Sequence, residues 1–114
     1  MATTKDKAYL GNKLKYLVNI QSDGFNMDED DFEITLKRSG YTRTFQKSDL
    51  VVETYVDTSG ETPVERHLYY LCFDSEEFGK GLIQAITKAY VPDNDFDGGI
   101  REEIDKTNLI NIIS

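Results

Sequence analysis

The chain has 114 residues, which is enough for one domain with a single hydrophobic core. It carries 21 acidic and 13 basic residues, a net charge of −8, which argues against nucleic acid or an anionic membrane as a partner, because both are bound through clustered Lys and Arg. With one cysteine and one histidine, the chain cannot form an internal disulfide and lacks the ligands of a structural zinc site.

Residues 1–12 precede the first predicted strand and form a predicted N-terminal arm. They lack the apolar run of a secretory signal peptide, and no apolar run elsewhere in the sequence approaches membrane-spanning length. We therefore expect a soluble protein that is made in a cytoplasm.

β-Branched and aromatic residues dominate the rest of the chain. Val, Ile and Thr number 25, and Tyr and Phe add 13, whereas Ala occurs four times, a balance that favours strands over helices. Phe32, Ile34 and Leu36 alternate with polar residues, as expected of a strand with one buried face. The predicted strands are residues 13–20, 32–37, 41–46, 50–56, 66–73, 82–91, 100–104 and 109–113.

Residues 82–91 are compatible with two secondary structures, because their apolar positions fit both helical and strand spacing. Gly81 weakens a helix start, and Pro92 disfavours the helical conformation at the residue before it. The sequence therefore favours a strand over a helix in this segment.

Seven or eight short strands separated by turn residues suggest a two-sheet sandwich. We predict an all-β fold, an immunoglobulin-like antiparallel β-sandwich over residues 13–105, although the Cys–Trp–Cys pattern of antibody domains is absent. Residues 106–114 are predicted to be a C-terminal strand or contact arm. Its apolar residues should either complete this sheet or form an interface with a neighbouring chain. They are Leu109, Ile110, Ile112 and Ile113.

The loop after the predicted strand 82–91 has part of a calcium-binding pattern. Asp93, Asp95 and Asp97 occupy the first, third and fifth positions of a calcium loop, and Gly98 occupies the sixth. The twelfth position, which should be a bidentate Glu, is Ile104. Two interpretations remain: a calcium site made by the three Asp residues, or a polar loop whose Asp side chains cap turns. The second is preferred, and no other cofactor is predicted.

The remaining polar residues suggest no catalytic site. His67 and Cys72 lie five residues apart in one predicted strand, so they should lie on opposite faces, with the thiol in the core. A further acidic run, residues 28–31, is typical of a solvated loop. The sequence has neither a phosphate-binding loop nor a G-x-S-x-G nucleophile motif, and we expect that the protein is not an enzyme.

Two segments carry a family resemblance: F-D-S-E-E-F-G-K-G at residues 73–81, and A-Y-V-P-D-N-D-F-D-G-G-I-R-E-E at residues 89–103. They resemble small β-rich virion proteins encoded by phages and prophages of Bacteroidetes, including crAss-like phages. The resemblance covers approximately residues 32–105, and the second motif departs from it at residues 98–100, where one Gly and an apolar residue are expected. It implies a structural protein of the particle, located in the virion, with no catalytic residues.

The second motif is also typical of a rigid corner between two strands. Pro92 should end the first strand, Gly98 should provide a sharp turn, and Arg101 should pair with one of the Asp residues. Phe96 is expected to pin the loop to the core, and Phe96→Ala would then cost about 2–4 kcal/mol.

The functional prediction is a phage virion structural protein, either a capsid decoration, a head-fibre protein or a tail component. It would act by protein–protein contacts with other virion proteins and with copies of itself, as an oligomer. The alternative is a calcium- or glycan-binding β-sandwich module of an adhesive appendage, based on the loop 93–97 and on the seven tyrosines of the chain.

Overall fold

The computed structural model describes residues 7–114, which form eight strands, one single-turn helix and two short 3-10 turns. Residues 1–6, the first half of the predicted N-terminal arm, lie outside the described residues. The helix α1 spans Ser75–Phe78. The strands are β1 Lys7–Tyr9, β2 Lys13–Val18, β3 Phe32–Arg38, β4 Tyr41–Gln46, β5 Val51–Asp57, β6 Val64–Asp74, β7 Gly81–Pro92 and β8 Ile100–Ile113.

The strands form two sheets that pack as a sandwich. The larger sheet has the order β1-β8-β7-β3-β4, and the smaller has the order β2-β6-β5. Every neighbouring pair is antiparallel except β1 and β8, which are parallel. In this arrangement β2, β6 and β5 correspond to strands B, E and D of an immunoglobulin domain, and β8, β7 and β3 to strands G, F and C. The predicted all-β sandwich is confirmed.

Side-chain alternation explains how these strands form the core. In β3, Phe32, Ile34 and Leu36 are at most 3% exposed, whereas the residues between them are half-buried. Residues 82–91, whose spacing fits both a helix and a strand, lie in the strand β7. The backbone of β7 pairs with β3 on one side and with β8 on the other. A helix would satisfy its own backbone groups internally and leave one edge of β3 and one edge of β8 without a partner.

Aromatic rings close the core at one end of the sandwich. Phe78, in α1, is 1% exposed, and its ring meets those of Tyr41 and Phe73 edge-on at centroid distances of 5.1 and 5.2 Å. Such edge-to-face contacts stabilise the core beyond simple burial. The first motif, residues 73–81, is therefore mainly structural: it turns the chain from one sheet to the other and buries Phe73 and Phe78.

Two features at the chain ends differ from the sequence predictions. Residues 100–104 and 109–113, predicted as separate strands, belong to the single strand β8, with a register shift opposite Ile83 and Gln84. The polar residues 105–108 continue the strand because backbone pairing with β7 does not require apolar side chains. Residues 7–9, predicted as part of an arm, form the edge strand β1 beside the end of β8.

The molecule is elongated for its size. Its radius of gyration is 16.2 Å, compared with about 13 Å for a compact domain of this length. Its principal extents are 48 × 39 × 24 Å. In the hairpin of β5 and β6, every residue from Val51 to Val56 is exposed.

Candidate interaction surfaces

The β5–β6 hairpin presents apolar side chains on both of its faces. Val52 and Val56 lie on one face, and Val51 and Tyr55 lie on the other, since successive residues of a strand alternate. Their exposed fractions run from 45% for Tyr55 to 60% for Val56. Adjacent exposed apolar side chains on a strand are typical of a protein–protein contact surface.

The same hairpin also has an open strand edge. Within residues 7–114, β5 pairs with β6 alone, so the backbone groups along its other edge have no strand partner. An open edge of this kind can accept a strand from another chain. An open cavity of about 620 Å³, lined in part by Lys47, Val52 and Tyr69, lies beside the hairpin base.

Polar contacts fasten the base of the hairpin to the acidic run 28–31. The hydroxyl of Tyr69 donates to Oδ1 of Asp28 at 2.8 Å, and Nδ1 of His67 lies 3.3 Å from the same oxygen. Nζ of Lys47 donates to the carbonyl oxygens of Asp28 and Asp30 at 3.1 and 2.9 Å. The run is therefore anchored to β6 at Asp28, rather than being a wholly solvated loop.

These contacts shift two pKa values in opposite directions. The Tyr69 hydrogen bond, together with the nearby imidazole and ammonium groups, lowers the pKa of Asp28 despite some desolvation. Burial, followed by the hydrogen bond to Asp28, raises the pKa of Tyr69 to about 12. Both shifts favour the pair of neutral phenol and charged carboxylate that the hydrogen bond requires.

His67 and Cys72 lie on opposite faces of β6. The His67 imidazole is half-buried on the inner face, beside Asp28 and Glu65, whereas Cys72 is exposed on the outer face. The prediction of a thiol in the core was wrong, because Cys72 pairs with Lys15 on the face of the smaller sheet that points away from the larger one.

The corner after β7 is held by a ring of hydrogen bonds. The backbone N–H of Asp93 donates to the carbonyl of Gly99 at 2.9 Å, and the Asp93 carboxylate accepts from the N–H of Asp95 at 3.0 Å. Gly98 has φ +81°, a left-handed conformation that favours glycine. Pro92 is the last residue of β7, so the corner begins directly after it.

Arg101 joins the corner to a neighbouring loop. Its guanidinium pairs with the Asp93 carboxylate, as the sequence suggested, and donates to the carbonyl oxygen of Asp23 at 3.0 Å. The N–H of Asp95 and the Arg101 guanidinium lower the pKa of Asp93. The predicted role of Phe96 was wrong: its side chain is 50% exposed, so it does not pin the loop to the core.

The three aspartates of the corner are not gathered as metal ligands. Asp93 is committed to Arg101, while Asp95 and Asp97 are exposed. Across residues 7–114, no group of three or more His, Cys, Asp or Glu side chains is placed to hold a metal ion. The geometry therefore gives the calcium interpretation of Asp93, Asp95 and Asp97 no support.

The C-terminal apolar residues complete their own sheet. Ile110 and Ile112 are 2% exposed and pair with Ile83 and Gly81 of β7, while Leu109 and Ile113 are half-buried. Of the two alternatives raised by the sequence, pairing within the chain is therefore the one observed. Ile110 and Ile112, predicted as interface residues, are in the core and are not accessible to a neighbour.

A basic groove lies at the end of the sandwich away from the hairpin tip. Lys37, Arg38 and Lys80 line an open cavity of about 380 Å³ together with Leu82 and Gln84. Leu82 is 44% exposed, so the groove combines positive charge with an apolar surface. The groove is not apparent from the sequence, because its three basic residues come from two separate segments.

The exposed residues of the hairpin were also missed. A signal was present, since Val51, Val52, Tyr55 and Val56 place apolar side chains on both faces of one strand. That pattern normally indicates a strand buried on both faces, and only the topology shows that β5 is an edge strand.

Comparison of the chain with protein-family models, with curated proteins and with solved structures finds no match. Within residues 7–114, no helix is long and apolar enough to cross a membrane.

Proposed function

We propose that this chain is a structural protein of a phage virion, acting as a capsid decoration, head-fibre or tail component through protein–protein contacts. The observation that carries the proposal is the β5–β6 hairpin, which has apolar side chains on both faces and an open edge. Exposed apolar side chains are unfavourable in water, and their burial against a partner protein would stabilise the complex. The resemblance of residues 73–81 and 89–103 to virion proteins supplies the virion setting.

The calcium- or glycan-binding alternative has less support. A calcium site at the corner would have to release Asp93 from its ion pair with Arg101. Tyr9 and Tyr55 are exposed, but they lie on strands at the edges of different sheets and do not form one aromatic platform.

The proposal is tested by the location and copy number of the chain. Particles purified from the source culture would be compared with the particle-free fraction by quantitative peptide mass spectrometry. A virion structural protein is expected in the particles at many copies, with immunogold labelling at a fixed position. Its presence only in the particle-free fraction would overturn the proposal.

The hairpin is tested by a matched pair of variants, Val56→Lys and Ile104→Lys. Both positions are strand residues with similar exposure, 60% and 58%, but Ile104 lies on β8, away from the hairpin. Val56→Lys is expected to reduce incorporation into particles at least tenfold, whereas Ile104→Lys should leave incorporation at the wild-type level. Equal incorporation of the two variants would contradict a contact role for the hairpin.

A further inference from the structure

Two surface regions at opposite ends of the sandwich carry opposite charges. The hairpin tip, residues 57–65, carries Asp57, Glu61 and Glu65 and contains no Lys or Arg. The strand registers place it at one end of the smaller sheet, whose opposite end is Lys13 paired with Asp74. The basic groove lies at that opposite end, because α1 continues from Asp74 and leads to Lys80.

Arg38 is held in place within the basic groove. Its Nε atom donates to the carbonyl oxygen of Phe78, and its side chain passes close to Gly79 and Gly81, where a Cβ atom would lie 3.8 and 3.4 Å away. Both glycines have positive φ, so the turn that approaches Arg38 requires glycine. A guanidinium fixed in this way loses little entropy when its remaining N–H groups bind a carboxylate.

The basic groove has no carboxylate partner of its own among the described residues. Within residues 7–114, neither Lys37, Arg38 nor Lys80 forms an ion pair, whereas Arg43, close by on β4, pairs with Glu77 at 2.6 Å. Three positive charges around an exposed apolar side chain fit a ligand that is both acidic and partly apolar.

The hairpin tip has this chemistry. Glu61 and Glu65 are exposed, and Glu65 pairs with Val56 across the hairpin and follows Val64 in sequence. Val56 and Val64 are 60% and 43% exposed. Because each copy carries a net charge of −8, two copies repel each other at long range, and a contact between a positive and an acidic surface offsets this repulsion. The basic groove is such a surface, and the tip is an acidic surface at the opposite end of the molecule.

We propose that the hairpin tip of one copy binds in the basic groove of a second copy, an inference that rests on the proposed structural role. The two surfaces differ, so the contact is heterologous: each copy uses its tip on one neighbour and its groove on the other. Copies then add head to tail, as a ring or as an open chain. The contact supplies a carboxylate to Arg38 and covers Leu82 and the apolar base of the tip.

Charge reversal at each end tests the contact. The groove variant is Lys37→Glu/Lys80→Glu and the tip variant is Glu61→Lys/Glu65→Lys, and all four positions are exposed. Far-UV circular dichroism and thermal melting check that each variant folds.

Native mass spectrometry is expected to show at least tenfold less association for either variant alone, because the tip and the groove of that variant then carry charge of the same sign. Lys106→Glu, an exposed charge reversal on β8, is the control for location and should associate like the wild type.

Recombination of the variants separates this contact from others. An equimolar mixture of the two variants should form mixed assemblies, and one chain carrying all four changes should associate with itself again. A groove variant that associates like the wild type indicates a symmetric tip-to-tip contact or another surface, and overturns the proposal. A wild-type chain that stays monomeric also overturns it, while its presence in particles at many copies would leave the proposed function standing.

Discussion

The guanidinium of Arg38 lies in a bend of the chain formed by residues 78–81, where its Nε atom donates a hydrogen bond to the carbonyl oxygen of Phe78. The F-G-K-G sequence accounts for this relationship. Phe78 anchors the bend in the core, Gly79 and Gly81 allow the backbone to approach Arg38, and Lys80 stays exposed. One short motif thus closes the core and also forms one side of the basic groove.

Gly81→Ala is expected to lower the free energy of unfolding by about 1–3 kcal/mol. Gly81 has φ +128°, which L-residues rarely adopt, and a Cβ atom there would lie 3.4 Å from Cγ and Cδ of Arg38. Gly60→Ala is the matched control, because a Cβ atom added there would have no neighbour within 4 Å and the φ of Gly60 is not in the left-handed region. Urea unfolding measures both variants, and equal stabilities would contradict the strained bend.

Phe78→Ala and Phe96→Ala should differ strongly, although both residues belong to the motifs recognised in the sequence. Phe78 is 1% exposed and contacts two aromatic rings, so its truncation is expected to cost about 3–5 kcal/mol. Phe96 is 50% exposed, and its truncation should change stability by no more than about 0.5 kcal/mol. Chemical denaturation measures the stability of both variants. A large loss of stability for Phe96→Ala would contradict this prediction and indicate that Phe96 does hold the loop against the core.

Two tyrosines are expected to make stability fall at alkaline pH. The hydroxyl of Tyr90 donates to Glu33 at 2.5 Å, and this bond, with some burial, raises the pKa of Tyr90 from 10.0 to about 12. Burial and the Asp28 bond raise the pKa of Tyr69 to the same value.

Because the pKa values are higher in the folded state, this stabilisation is complete below pH 10 and is lost as the pH rises towards about 12. Denaturation across this range should show a shallower decline for Tyr69→Phe/Tyr90→Phe than for wild type. Tyr55→Phe, an exposed position on the hairpin, is the control and should keep the wild-type slope. Identical slopes for all three proteins would count against these two hydrogen bonds.

Asp57 at the hairpin tip is expected to contribute to the acid limit of stability. Its carboxylate accepts hydrogen bonds from the Ser59 hydroxyl at 2.6 Å and the Ser59 N–H at 2.9 Å, and it pairs with Arg66 at 3.0 Å. These contacts, those of Ser59 above all, lower the pKa of Asp57 from 3.8 to about 2. A lowered pKa gives stability that is present above pH 3.8 and is lost as the pH falls towards about 2.

Asp57→Asn should therefore reduce the pH dependence of stability in this acid range. Asp97→Asn, in the exposed corner loop, serves as the control. Proton uptake on unfolding, obtained from thermal melts at a series of pH values, distinguishes them. The prediction fails if Asp57→Asn takes up as many protons as the wild type.

Alternation of apolar and polar residues predicted most of the strands. The segment 41–46 matches β4, and the segments 32–37 and 66–73 fall within β3 and β6, because each of these strands contributes buried side chains to the core. β1 and residues 105–108 were not predicted as strands, because they lack a clear alternation of apolar and polar residues. They are held by backbone pairing at the edge of the larger sheet, which leaves little trace in the side chains.

The surfaces were harder to predict than the fold. The local contacts of the corner, such as Asp93 with Arg101, involve residues close in sequence and could be inferred. The basic groove and the exposed hairpin depend on which strands are neighbours and which strand is last in its sheet. Neither property is encoded in a single segment, and the burial of Ile110 and Ile112 likewise depends on the pairing of β8 with β7.

Sedimentation velocity of the wild-type chain, over a range of concentration and salt, tests most directly whether opposite ends of the molecule bind each other. Head-to-tail binding should give assemblies at low ionic strength that grow in steps of one 13.0 kDa chain, trimers included. They should dissociate as salt shortens the screening length from about 10 Å at 0.1 M to about 3 Å at 1 M. A monomer under all conditions, or a dimer that never extends to a trimer, would contradict head-to-tail association.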